Sequence, residues 1–187
     1  MSSYHLFALF KTGIIMRILS GFFLLIAAMV FINSCGTTSN NTVSLNFEAT
    51  AEGPFFTGPN SLMCEYTVDL SNLVEGKEVN AEDIKKVNLI SAQIDLSKND
   101  SLNLTAFNSA SLQFVSKNEP MTSFAVLNPI ENQGNTTQLN VSSEADLAPY
   151  FKENSMTLVL DLELKEDAFT DHLTAEIKLD LNLEIKN

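Results

Sequence analysis

The 187-residue sequence predicts an all-β fold of antiparallel strands, and three observations carry that prediction. At the C-terminus Leu173, Ala175, Ile177, Leu179, Leu181, Leu183 and Ile185 alternate with Thr174, Glu176, Lys178, Asp180, Asn182 and Glu184. Just upstream, Met156, Leu158, Leu160, Leu162 and Leu164 repeat the pattern. The connections between such runs are too short to carry the helical crossovers of a parallel sheet. A period of two places every second side chain on one face, the pattern of a half-buried strand. Leucine favours helices intrinsically, but a helix would spread these residues around its circumference, so the burial pattern decides for strand.

Taken in order, the first strand runs from Thr42 to Ala49, with Val43, Leu45, Phe47 and Ala49 on one face. A loop follows, Glu52-Gly53-Pro54-Phe55-Phe56-Thr57-Gly58-Pro59-Asn60, punctuated by two Gly-Pro pairs. Leu62, Cys64, Tyr66, Val68 and Leu70 mark the second strand. Further strands are predicted at Val87 to Leu96, Ser111 to Ser116, Ser123 to Leu127 and Thr137 to Val141. Two short helical turns interrupt the series. Asn80 can cap Ala81 to Lys86 with Asp83 at the third position, and Ser143 can cap Glu144 to Phe151 with Asp146 placed likewise. The last two strands, joined by Lys165 to His172, are expected to form a long antiparallel hairpin with one wet face.

Seven or eight short strands with turn-length connections fit two antiparallel sheets packed face to face. The expected architecture is therefore an immunoglobulin-like β-sandwich over residues 42–187, with a closed barrel as the alternative. That length buries one core without help from disulfides.

The N-terminus carries a different signal. Ile18 to Ile32 reads ILSGFFLLIAAMVFI, fifteen residues without a charge, preceded by Arg17. As a helix this run rises roughly 22 Å, short of the roughly 30 Å of a bilayer's hydrocarbon core. A positive start, a short apolar run and small residues after it are the grammar of a signal peptide, here residues 1–34, with Met16 as an alternative start. The four residues Ile32-Asn33-Ser34-Cys35 resemble the lipobox of bacterial lipoproteins, in which a small residue precedes the cysteine to be lipidated. Asn33 departs from the usual residue two before that cysteine. The resemblance implies cleavage before Cys35 and acyl chains on it, and more than one such chain makes membrane attachment stable. Gly36 in place of Asp directly after the cysteine implies sorting to the outer membrane. The run Gly36-Thr37-Thr38-Ser39-Asn40-Asn41 lacks the acidic surface-export signal of Bacteroidota-type lipoproteins, which favours the periplasmic face. Residues 36–41 are expected to be a flexible tether.

Two stretches extend the resemblance. Cys64 to Leu96, with EYTVDLSNL and IKKVNLISAQIDLS, and the C-terminal DLAPYFKENSMTLVLDLEL are similar to segments of small Bacteroidota-type lipoproteins. The likeness is one of strands, so it implies a β-sandwich and no activity.

Charge narrows the partners. After Cys35 there are nine basic and 23 acidic residues, a formal charge of −14. A surface of that sign repels phosphate backbones, and no basic cluster exceeds the pair Lys85 and Lys86, which excludes nucleic acid as a partner.

Few residues point to chemistry. His172 is the one histidine after Cys35, and it lies in a turn without a nucleophile signature, so a solvated turn residue is the plainer reading. Cys64 sits on an apolar strand face with Glu65 as its nearest charge, the setting of a small hydrophobe rather than a reactive thiol. Glu166, Asp167 and Asp171 cluster in one turn, and Asn99 and Asp100 end a strand, but neither group has the spacing of a calcium loop. No metal and no cofactor is expected, and no enzyme. Phe55 and Phe56 are adjacent aromatics in a Gly/Pro loop, and two neighbours cannot both face the core, so one is a candidate contact residue. Asp100-Ser101-Leu102 resembles the site that Bacteroidota-type bacteria O-glycosylate, which marks Ser101.

These readings converge on a lipid-anchored envelope protein, attached to the membrane through Cys35 and meeting another envelope protein in a non-enzymatic binding or structural role. The alternative is a surface-displayed adhesion or glycan-capture lipoprotein. A hydrolase fits least, since no acid/base pair stands out.

Overall fold

Alternation turns into eight strands among the described residues. The computed structural model describes residues 38–74, 76–99, 101–131 and 134–186; the signal-peptide segment, Cys35 and Asp100 lie outside the described residues. The strands are β1 (Thr38–Glu52), β2 (Gly58–Thr67), β3 (Ile84–Asp95), β4 (Phe107–Val115), β5 (Thr122–Leu127), β6 (Thr136–Val141), β7 (Ser155–Leu164) and β8 (His172–Lys186). Two single helical turns, α1 (Leu70–Leu73) and α2 (Ala148–Phe151), and two 3-10 turns, Ala81–Asp83 and Leu104–Ala106, lie between them.

The pairing is nested. β1 pairs with β8, β2 with β7, β3 with β6 and β4 with β5, all antiparallel. Further pairs, β3 with β8 and β4 with β7, build two four-stranded sheets, β1-β8-β3-β6 and β2-β7-β4-β5. The sheets touch at their corners. Between β1 and β2 only Thr50 faces Met63, and between β5 and β6 only Ala125 and Val126 face Val141 and Asn140. Hydrogen bonding thereby runs round a closed barrel. A long hairpin rolled onto itself in this order is the winding of a jelly roll. The all-β antiparallel fold is as the alternation predicts. The ring differs from an open immunoglobulin-like sandwich because the outer strands of the two sheets pair at both corners, β1 with β2 and β5 with β6, while register shifts within the sheets, in the β3–β8, β4–β5 and β4–β7 pairs, add local twist.

The predicted C-terminal hairpin does not form. β7 and β8 lie in different sheets, each as an inner strand, β7 between β2 and β4 and β8 between β1 and β3. An inner strand satisfies backbone groups on both edges, and the connection through residues 165–171 is long enough to cross between sheets. β1 also begins four residues earlier than expected. Thr38 to Asn41 pair with Lys186 to Leu183, so from Thr38 onward the polar run is strand rather than tether.

Both sheets bury their inner faces. All seven apolar positions of β8 from Leu173 to Ile185 are buried. Phe114 of β4 lies at the centre, with ring centroids 4.5 Å from Phe124, 5.8 Å from Tyr150, 6.2 Å from Phe151 and 6.3 Å from Phe47 across the core. The outer faces are mainly polar, with Met63, Ile90 and Val126 exposed among the polar residues, and they repeat one device. Asp180 of β8 accepts hydrogen bonds from Ser44 of β1 at 2.6 Å and Ser91 of β3 at 2.7 Å. Asp161 of β7 does the same for Ser61 of β2 and Gln113 of β4, both at 2.5 Å.

The turns show where capping differs from expectation. Asp83 reaches back to the backbone N–H of Asn80 at 3.2 Å, as the box predicts, but the turn ends at Asp83 and Ile84 to Lys86 join β3. Around α2 the capping carboxylate is Asp146 rather than Ser143. Its Oδ1 accepts from Ala148 N at 3.0 Å and from Val87 N at 3.1 Å, which ties the turn to β3.

Candidate functional site at one end of the barrel

Strand direction sorts the loops. The connections after β1, β3, β5 and β7 gather at one end of the barrel, while Thr38, Lys186 and the connections after β2, β4 and β6 lie at the other. β1 spans the distance between the ends, about 45 Å at the usual strand rise. Residues widely spaced in the sequence therefore share one surface. Phe55, Phe56, Asn99, Ser101, Glu166, Asp167, Asp171 and His172 all fall on that loop end.

The loops are stitched together through backbone groups. Phe55 and Ala168 exchange two hydrogen bonds of 2.9 Å, a single antiparallel bridge between the β1–β2 and β7–β8 loops. Gly53 N donates to Asp171 O at 2.8 Å beside it. At this close approach a Cβ on Gly53 would lie 1.9 Å from Thr170 O, so only glycine fits. Gly58, with φ at +105°, turns the chain into β2 through a region open to glycine. Asp167 Oδ1 accepts from both the N–H and the hydroxyl of Thr57 at 2.8 Å, and these bonds hold its carboxyl below the usual range. The β3–β4 loop is held by Asn99, whose side chain donates to Thr174 O at 2.7 Å and accepts from Thr174 N at 2.9 Å. Asn99 thus continues the ladder on β8 where β3 has ended at Asp95.

This frame separates the two adjacent aromatics. Phe55 turns inward and is 4% exposed, closing the core, whereas Phe56 is 60% exposed. Phe169, next to Ala168, is 83% exposed. Alternation across the Phe55–Ala168 bridge puts Phe56 and Phe169 on the face opposite Phe55, so both rings project outward. Beside them lies a pocket of about 350 Å³ lined by Leu102, Thr105, Ala106, Leu164, Lys165, Glu166, Asp167 and Ala168. Lys165 spans it, its Nζ donating to Thr105 O at 2.7 Å. The chemistry on offer is a pocket large enough for a small ligand group, lined by Glu166, Asp167, Lys165 and aliphatic side chains, with two exposed rings on the same end of the barrel.

The other residues singled out from the sequence have plain surroundings. Ser101 is exposed in the β3–β4 loop, beside the pocket-lining Leu102. His172 opens β8 opposite Glu52 and is exposed. Cys64 is half-buried against the core, its thiol 3.6 Å from Glu65 O. Among the described residues no three His, Cys, Asp or Glu side chains gather as a metal site, and no helix is long and apolar enough to cross a membrane. Phe169 was not singled out from the sequence. An aromatic alone among Lys165, Glu166, Asp167 and Asp171 is itself a signal, because such a turn offers it no core to enter.

No family model matches the chain, and no curated protein matches it. Among solved structures, the chain is similar to that of infectious bursal disease virus Gx strain at 9% identity and a TM-score of 0.41, over 81% of this chain and 32% of the viral one. It thus spans about a third of that viral chain's length. CBM32-3 from a family 31 glycoside hydrolase of Clostridium perfringens is similar at 12% identity and a TM-score of 0.30, over 81% of this chain and 76% of that one. A capsid protein solved as a decamer, that of BFDV, is similar at 5% identity and a TM-score of 0.31, over 79% of this chain and 99% of its own. With TM-scores below 0.5, these likenesses carry nothing over to this chain.

Proposed function

We propose that the chain is a lipid-anchored outer-membrane protein, facing the periplasm, that holds a non-enzymatic binding surface away from the bilayer on the loop end of its barrel. The two sheets act as the layers of a sandwich joined at its corners. The observation that carries the reading is the pair Phe56 and Phe169, exposed on one face of a bridged loop frame at the end opposite Thr38. An exposed aromatic pair with no core to cover is the usual sign of a contact surface.

The anchor supports the orientation. Cys35, lipidated as its lipobox implies, is three residues from Thr38, a span of at most about 11 Å. With β1 starting so close to the membrane, the domain stands near it by its tether end, and the formal charge of −14 keeps its sides off anionic headgroups. The loop end then faces a second envelope protein.

A glycan is the second reading, favoured by the pocket with Lys165, Glu166 and Asp167 in its lining beside two exposed rings, since ring faces stack on sugars while charged groups take their hydroxyls. It would accompany display on the cell surface. Ser101, exposed beside the same pocket, is the position we assign to O-glycosylation.

A photo-crosslinking residue in place of Phe56, expressed in the full-length chain in intact cells, tests the site. The expected result is a discrete protein adduct that Phe169→Ala removes and that excess envelope polysaccharide leaves unchanged. A control residue in place of Ser111, on the outer sheet face, should give none. Equal labelling from both positions would contradict the reading, and competition by polysaccharide would favour the glycan.

A further inference from the structure

The tether end carries a feature that the loop-end site does not use. β1 is paired with β8 along its whole length, from Thr38 opposite Lys186 to Glu52 opposite His172. On its other edge its partner is β2, which meets it only at Thr50. Among the described residues, the edge from Thr38 to Ala49 therefore has no strand paired to it, although β2 runs close to its upper part, where Tyr66 lies 5.2 Å from Phe47 ring to ring. β2 ends at Thr67, and α1 follows, leaving a groove of about 550 Å³ between residues 40–44 of β1 and Leu73 and Val74.

Exposed edges are usually blunted by charges, by proline or by a bulge, because they template further strands. From Thr38 to Phe47 β1 itself supplies none of these, and the charge that reaches it there is Lys77, whose Nζ donates to Ser39 Oγ at 3.1 Å near the start of the strand. Gly36 through Phe47 is twelve residues without a charge, in a region that carries 23 acids after Cys35. It contains no proline, and the register with β8 runs without a shift. Its exposed side chains Thr38, Asn40, Thr42, Ser44 and Asn46 alternate with inward-facing ones, the unbroken alternation of a regular strand.

We infer that the free edge of β1 accepts an extended segment of a partner polypeptide, which adds a strand to the β1-β8-β3-β6 sheet and lies in the groove against α1. Main-chain hydrogen bonds supply the attraction in such strand addition, and side chains set the selectivity. The partner segment is uncharged or basic, because an acidic one would approach a domain of formal charge −14. A second copy of this chain does not fit. Every strand pair in the barrel is antiparallel, and an antiparallel mate over Thr38 to Phe47 would place the second copy's Thr38 about 30 Å from the first. With β1 upright on the membrane, as proposed above, the second copy's Thr38 would lie that far above the bilayer, beyond the reach of the three residues that join it to Cys35. This exclusion rests on the anchor; the free edge does not.

Hydrogen exchange tests the inference, comparing the full-length chain in native outer-membrane fractions with the same chain purified in detergent. Amides of Thr38–Phe47 facing away from β8 should exchange about tenfold slower in the native membrane. The variant Asn40→Lys/Thr42→Lys, at exposed positions, should keep the wild-type thermal midpoint and lose that protection. Equal exchange in both settings, or protection that survives the lysines, would overturn the inference. So would a cross-link between Asn41→Cys positions of two differently tagged copies, since the occupant would then be this chain itself.

Discussion

Phe55 and Ala168 exchange both of their backbone hydrogen bonds, at 2.9 Å each, and this one bridge joins loops that lie 113 residues apart. Its inner side seats Phe55 in the core, and its outer side leaves Phe56 and Phe169 exposed together. A structural contact and the proposed binding surface are thus the two faces of one short piece of ladder.

Gly53 sets how closely the two loops approach. Gly53→Ala places a methyl 1.9 Å from Thr170 O, a backbone atom that cannot swing aside. The expected effect is a loss of roughly 1–3 kcal/mol, the range of an overpacked site. Chemical denaturation of the full-length chain checks it, and an unchanged midpoint would show that the loops are not held at this spacing.

Asn99 acts as a backbone substitute. Its amide makes both bonds of a strand residue to Thr174, and Asn99→Ala leaves that N–H and carbonyl unpaired. The expected loss is about 1–3 kcal/mol, with faster amide exchange at Thr174. Asn99→Asp, which retains the acceptor alone, should fall between the wild type and the alanine variant.

Acid should weaken the outer face at Asp180. Hydrogen bonds from Ser44 and Ser91 hold its carboxyl below the ordinary 3.8, so it ionises more readily folded than unfolded. A depressed folded value gives stability that is present above the unfolded value and disappears as pH falls through the folded one. Asp95, held down chiefly by the Ser97 hydroxyl, adds a contribution of the same sign. Asp180→Asn should therefore shrink the drop in thermal midpoint between pH 6 and pH 3. A drop as large as in the wild type would show that Asp180 is not a source of it.

How far the structure was legible in the sequence depends on the kind of information involved. Alternation reads faces, and it placed Leu173 through Ile185 on the core side because a period of two leaves no other choice. It does not name partners. Nothing in the runs of β7 and β8 says that each is an inner strand of a different sheet, since that depends on β1, β2, β3 and β4 arriving beside them. The polar run Thr38 to Asn41 reads as a loose linker, yet it becomes strand because β8 extends far enough to pair with it. Of the proposed contact site, Phe56 was visible as one of two aromatics that could not both be buried. Phe169 became its neighbour only through the bridge at Ala168, a tertiary contact that local pattern does not encode.

The proposed arrangement, a domain anchored at one end and binding at the other, is tested by its distances from a bilayer. In a Cys64→Ser background, a donor dye on Asn40→Cys or on Phe169→Cys would be attached to the full-length acylated chain in vesicles carrying acceptor lipids. Strong transfer from position 40 and weak transfer from position 169, in keeping with the separation of about 45 Å along β1, is the predicted result. Transfer of equal strength from both positions would mean a domain lying flat, and vesicle attachment that survives Cys35→Ala would mean that the anchor is not at Cys35.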